Sequence, residues 1–180
     1  EVAENVKSTT GALLILLMVG ALAGTWMVSG IIPTMIYYGL QILNPKIFLA
    51  ACVVICAIIS IATGSSWTTS ATVGIALVGI GETLGVSIGM TAGAVLSGAY
   101  FGDKMSPLSD TTNLAPAMAG GELFDHIKYM SLTTIPTISI TLILFIVIGL
   151  NLDINGTPQI QDKLEAINQA FNISPWLFLV

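Results

Sequence analysis

Four long stretches of this chain contain no Asp, Glu, Lys or Arg: residues 8–45, 47–81, 83–102 and 129–152. A helix needs about 20 apolar residues to cross the hydrocarbon core of a bilayer. In that solvent each backbone N–H and C=O must be satisfied inside the protein, so runs of this kind are read as helices. Soluble domains carry about a quarter charged residues, whereas here 8% are charged and 54% are hydrophobic. The fold class that follows is an all-α polytopic membrane protein, with the lipid bilayer as its first partner. Five lysines, no arginine and a net charge of −5 cannot build the basic face that nucleic acid requires, so no nucleic-acid partner is expected.

The interruptions of these runs organise the chain. Residues 1–10 form a polar lead-in, and residues 11–30 are long enough for one span. Residues 31–43 hold Pro33, Tyr37, Tyr38 and Gln41, which suits a kinked continuation, a re-entrant piece or an interfacial helix. Residues 47–81 make 35 uncharged positions, too many for one straight span and too few for two with a loop. Inside them lies Thr63-Gly64-Ser65-Ser66-Trp67-Thr68-Thr69-Ser70, so a broken helix or re-entrant hairpin is expected. Glu82, among Gly79, Gly81 and Gly85, reads as a turn residue at a membrane surface. Residues 122–130 read as a short surface helix carrying Asp125, His126 and Lys128, and residues 129–152 as one span. Residues 151–172 read as a polar loop with an amphipathic patch, and 174–180 as the start of a further span. Glu1 is not an initiator methionine and the chain stops in an apolar run, so residues 1–180 are expected to be a partial transmembrane transport domain. The remainder of a larger polytopic chain would be its partner.

The most unusual stretch is Gly98-Ala99-Tyr100-Phe101-Gly102-Asp103-Lys104-Met105-Ser106-Pro107-Leu108-Ser109-Asp110-Thr111-Thr112-Asn113. A charge at bilayer depth costs at least about 2.5 kcal/mol, so two carboxylates and an ammonium point to function. Pro107 lacks an N–H and disfavours helix at Ser106, which breaks the helix there and frees carbonyls. Carbonyls, carboxylates and hydroxyls are hard oxygen donors, suited to small hard cations. The run Ser109-Asp110-Thr111-Thr112-Asn113 echoes Ser66-Trp67-Thr68-Thr69-Ser70, 43 positions earlier. Paired interruptions of apolar segments point to a transporter binding site. The plainer alternative is that these hydroxyls bond only the carbonyl one turn back on their own helix.

The two motifs together, with Leu114-Ala115-Pro116 after the second, resemble the NhaC-type Na+/H+ antiporters over roughly residues 11–150. That resemblance implies a secondary active transporter exchanging Na+ for H+, without a cofactor. It implies an inverted-repeat architecture in a bacterial-type plasma (inner) membrane, with unwound helices meeting at a site in mid-membrane. Homo-oligomers remain open. The family also contains sodium-coupled exchangers of malate and lactate, so Na+-coupled organic-anion exchange stands as the alternative.

Within that frame Asp110 is the first choice for the exchanging carboxylate and a Na+ ligand, with Asp103 second. Ser109, Thr111, Thr112, Asn113, Ser65, Ser66, Thr68 and Thr69 are expected to complete the cation and proton site, and Lys104 to modulate it. A carboxylate taken out of water favours its neutral form, while a bound cation favours the charged one. One group thus accepts either ion, never both. Trp67 is a candidate to close one face. His126 is either a pH sensor or a member of a wet surface helix, and Cys52 and Cys56 are packed thiols. A remote alternative is an intramembrane aspartyl protease, although Asp103 and Asp110 lie in one short segment rather than on separate helices.

Overall fold

The computed structural model describes residues 20–152 and 157–176, with Thr10, Leu14, Leu17 and Met18; over 157–163 it describes the backbone alone. The polar lead-in, most of residues 11–19 and residues 177–180 lie outside the described residues, as do the expectations placed on them. Every described element is helical. Helix α1 (Gly20–Val28) meets α2 (Ile31–Ile42) at a bend of 70°. Two further helices are long and apolar enough to cross a membrane: Pro45–Thr63, which contains α3 (Phe48–Thr63), and α8 (Leu123–Asn151).

After α3 the chain turns within two residues. Gly64 has φ 70° and ends α3, and Ser65 opens α4 (Ser66–Thr69) by accepting a hydrogen bond from Thr68 N at 3.2 Å. A π-helical turn (Ser70–Gly74) and α5 (Ile75–Thr83) carry the chain back. The legs form an antiparallel hairpin, because a Cβ on Gly81 would lie 3.0 Å from the Phe48 ring at the far end of α3. So tight a turn is why 35 residues suffice for two helical legs. At 1.5 Å per residue they are about 24 and 27 Å long, slightly short of the ~30 Å core.

Helix α6 (Ile88–Met105) then runs parallel to α3. A side chain on Gly98 would strike the Val53 carbonyl, and one on Gly102 would lie 2.5 Å from the Ala57 carbonyl oxygen and 2.7 Å from Ile61 N. These two glycines bring the backbones together without any aqueous hydrophobic force, as small residues do in membranes. Ser60 Oγ adds a buried bond of 2.6 Å to the Ala99 carbonyl across the same seam. Phe48, Leu49, Cys52, Val53, Ala94, Val95 and Ala99 form the centre of the core.

Helix α6 ends at Met105, and α7 (Asp110–Ala119) begins after a four-residue break. Helix α8 returns antiparallel to α6, with Phe145 near Gly93 and Gly149 against the Lys46 carbonyl. The surface helix expected over 122–130 is not separate from the span that follows it. Nothing between Glu122 and Pro136 breaks the helix, and Leu123–Asn151 is one element of 29 residues, about 43 Å long. Its outer face exposes Leu132, Ile135, Ile140, Ile143, Leu144 and Val147, an apolar surface that belongs in lipid or against further protein. The expected polar loop at 151–172 also contains a helix, α9 (Thr157–Ala170), which contacts α2 and α5. Ile160, Leu164, Ile167 and Phe171 recur at helical spacing, and Leu164 packs on the core.

The close α3–α6 seam makes a direct prediction. Gly102→Val should destabilise the folded protein by about 1–3 kcal/mol, the usual range for overpacking. Gly93→Ala should be neutral or slightly stabilising, since its nearest neighbour would be Phe145 Cζ at 3.9 Å. Thermal unfolding of both variants in detergent would measure this, and equal effects would contradict the seam.

Candidate functional site

The breaks after α3 and α6 lie side by side, because those helices run parallel and end at the same level. Gly64 packs on the backbone of Leu108, where a Cβ would lie 2.5 Å from the carbonyl carbon. A positive φ and this approach together leave room only for glycine. Ser106, fully buried, spans the two breaks by donating to the Ile61 carbonyl at 2.7 Å, and its Oγ accepts from Leu108 N at 3.1 Å. Thr112 donates to the Asp103 carbonyl at 3.1 Å and the Lys104 carbonyl at 3.3 Å, tying α7 to the end of α6. In each break polar groups freed by the missing helical bonds are taken up by hydroxyls from nearby turns.

Asp103 sits in this junction, 8% exposed. Its Oδ2 accepts a hydrogen bond from Ser66 Oγ at 3.1 Å, across from the first turn of α4. Ser66 is itself 4% exposed. The carboxylate lies in the last turn of α6, where free helix carbonyls concentrate negative potential. A buried carboxylate beside a hydroxyl, at the negative end of a helix, can take up a small cation or a proton. A cavity of about 110 Å³, lined by Ser66, Trp67, Ser70, Leu96 and Tyr100, opens onto Ser66. Trp67 thus forms one wall of the approach.

The family model of the Na+/H+ antiporter family matches residues 98–180. The chain is 48% identical over 171 residues to the Na(+)/H(+) antiporter NhaC of Alkalihalophilus pseudofirmus, covering 95% of this chain and 37% of that protein. Nearly the whole chain is thus similar to part of an NhaC-type Na+/H+ antiporter. It is also 44% identical over 183 residues to the Malate-2H(+)/Na(+)-lactate antiporter of Bacillus subtilis, covering 99% of this chain and 38% of that protein. The arginine/ornithine antiporter ArcD of Halobacterium salinarum is 42% identical over 155 residues, 86% of this chain and 32% of that protein. The chain therefore spans under two fifths of the length of these relatives. No solved structure matches it.

The residues expected at the site divide into two groups. Ser66 and Asp103 meet, and Thr112 joins them through backbone carbonyls. Ser65, Thr68 and Thr69 serve their own turn: Thr68 Oγ1 donates to Ser65 Oγ at 3.1 Å and Thr69 Oγ1 to the Ser65 carbonyl at 2.9 Å. Ser109 caps α7, with its Oγ 3.0 Å from Thr111 Oγ1, and Asn113 Nδ2 donates to the Pro107 and Ser109 carbonyls at 2.7 Å. Residues 66–69 and 110–113 are helical, so the true interruptions are Gly64–Ser65 and 106–109. The capping serines align the motifs as Ser65 with Ser109, one position off the echo visible in the sequence.

Asp110 stands differently from its expected place. Helix resumes at Asp110 itself, so its carboxylate faces outward in the first turn, exposed and accepting Thr111 N at 2.8 Å. Lys104 is also exposed, on the α8 side of α6. The two aspartates share no hydrogen bond, so the pairing of an aspartyl protease is not made. Nor does the site lie at the middle of α8. Lys104 is level with Thr133 and Thr134, about a third of the way along that helix. Ser60 and Ser106 were not singled out in sequence; a serine just before Pro107 was the signal for the second.

Ser106→Ala should cost about 1–3 kcal/mol of stability, because it strands the Ile61 carbonyl at a buried break. Thr111→Ala, at an exposed position, should cost less than ~0.5 kcal/mol, as surface changes do. Thermal unfolding of the two variants would check the contrast.

Proposed function

We propose that the complete transporter is a multi-pass protein of a bacterial plasma membrane that exchanges Na+ for H+, and that Asp103 is the carboxylate for which the two ions compete. The observation that carries this reading is the buried hydrogen bond from Ser66 to Asp103 at the meeting of two helix breaks. Neutral Asp103 holds a proton in a site shut from bulk water. Charged Asp103 binds Na+ together with hydroxyl and carbonyl oxygens, and further ligands come from the rest of the transporter. Because one carboxylate serves both ions, loading one releases the other. Asp110 becomes a secondary candidate, at the outward start of α7. Such a chain is a transporter and not an enzyme. Homo-oligomers are compatible with this reading and do not enter it.

Na+-coupled exchange of an organic anion is the second reading. What favours it is Lys104, whose ammonium faces a groove lined with hydroxyls. Relatives named for malate and lactate, or for arginine and ornithine, act on molecules that carry a carboxylate, which a lysine would hold.

Sodium-driven proton flux in vesicles containing the full-length protein tests the primary reading. Asp103→Asn should abolish exchange while the protein remains folded, and Asp110→Asn should retain most of it. In this reading H+ and Na+ compete for one site, so a rise in one displaces the other. Half-saturating Na+ should therefore rise as pH falls, by up to tenfold per unit, or ~1.4 kcal/mol. Normal exchange in Asp103→Asn with a dead Asp110→Asn would return the role to Asp110.

A further inference from the structure

Between α6 and α8 lies a second cavity, of about 330 Å³, at the small end of the ~300–1,000 Å³ range of ligand sites. Lys104 is the one charged residue among those lining it, and Tyr100 lies one turn earlier on the same face of α6. Neither the Lys104 ammonium nor the Tyr100 hydroxyl has a partner among the described residues. Two unpartnered donors at i and i+4 converge on the same space.

The opposite wall has the reverse polarity. Thr133 donates to the Met130 carbonyl at 3.0 Å, Thr137 to Thr133 at 2.7 Å and Thr141 to Thr137 at 2.9 Å. Ser97 on α6 likewise donates to the Gly93 carbonyl at 2.7 Å. With their hydrogens directed into their own helices, these hydroxyls present lone pairs to the groove. The groove thus offers donors at one end and acceptors along its wall.

We propose that this groove is a binding site for a small 2-hydroxycarboxylate. Its carboxylate is held by Lys104 and Tyr100, and its hydroxyl donates to the threonine oxygens of α8. The inference rests on the organic-anion reading above and assigns it a site. Consecutive residues on a helix do not face each other, so Asp103 addresses the hairpin while Lys104 addresses α8. Cation and anion are then bound on different faces of one helix turn. Tyr100 lines both this groove and the small cavity leading to Ser66, which places a shared side chain between the two ligands.

The test is a binding titration of the purified full-length protein with L-malate, and with succinate as the same diacid lacking the hydroxyl. Wild type should bind L-malate saturably and several-fold more tightly than succinate, as one neutral hydrogen bond allows. Lys104→Gln should weaken malate binding at least tenfold, and Lys104→Arg should restore it to within about threefold, since a charged hydrogen bond is the larger contribution. Tyr100→Phe should weaken it several-fold, which keeps the test decisive if the lysine variant misfolds. Thr137→Val should narrow the difference between malate and succinate. No saturable malate binding to wild type, or unchanged binding in Lys104→Gln and Tyr100→Phe, would overturn the proposal. So would a Lys104→Gln variant that keeps malate binding but loses binding of phosphatidylglycerol titrated in parallel, which would assign the groove to a lipid headgroup. The titration needs no transport, so malate binding lost with Lys104 supports the site even where sodium-driven proton flux is absent.

Discussion

A helix broken inside a membrane must find partners for the polar groups it frees, and lipid offers none. That constraint explains why the two breaks of this chain lie against each other. The break after α3 leaves the Ile61 carbonyl for Ser106, and the break after α6 leaves the Asp103 and Lys104 carbonyls for Thr112. Ser65 and Ser109 each open the helix that follows. Separated, either break would strand polar backbone in an apolar medium. Thr112, which satisfies the second break, holds the Asp103 carbonyl, while Ser66 holds the Asp103 carboxylate, so the junction that closes the breaks also holds this residue.

The junction depends in turn on how closely α3 and α6 approach. Gly98 and Gly102 set two backbones in contact, and Gly64 extends that contact to Leu108. Rigid parallel helices bring both ends to one level. Asp103 lies one residue beyond Gly102, on the side that meets the hairpin, and is buried for that reason. Lys104, one step further round the helix, looks toward α8 and a groove of hydroxyls. One turn of α6 thus separates an acidic face from a basic one.

Much of this was legible in the chain. Uncharged runs marked the helices, Pro107 marked the second break, and the polar tract at 63–70 marked the first. Which of the two aspartates is buried was not legible. In sequence Asp110 sits among hydroxyls and Asp103 beside a lysine, which favours Asp110. In three dimensions Ser109 restarts the helix and turns Asp110 outward, while a glycine seam buries Asp103. Helix caps and interhelical contacts set which aspartate is buried, and neither is a property of a single segment. The same holds for α8, where charges near Glu122 resemble a separate surface helix. No breaker follows them, so the helix continues through them into the span. The amphipathic patch after residue 156 folds as a helix because it meets the core through Leu164, a partner distant in sequence.

The proposed exchange depends on the buried Asp103 as the ion-exchanging carboxylate. Infrared difference spectroscopy of the full-length protein, with and without Na+ at fixed pH, reads that group directly. Na+ should remove a protonated-carboxyl band and produce a carboxylate band, in wild type and in Asp110→Asn, and the change should be missing in Asp103→Asn. A Na+-induced band that persists in Asp103→Asn and disappears in Asp110→Asn would contradict it.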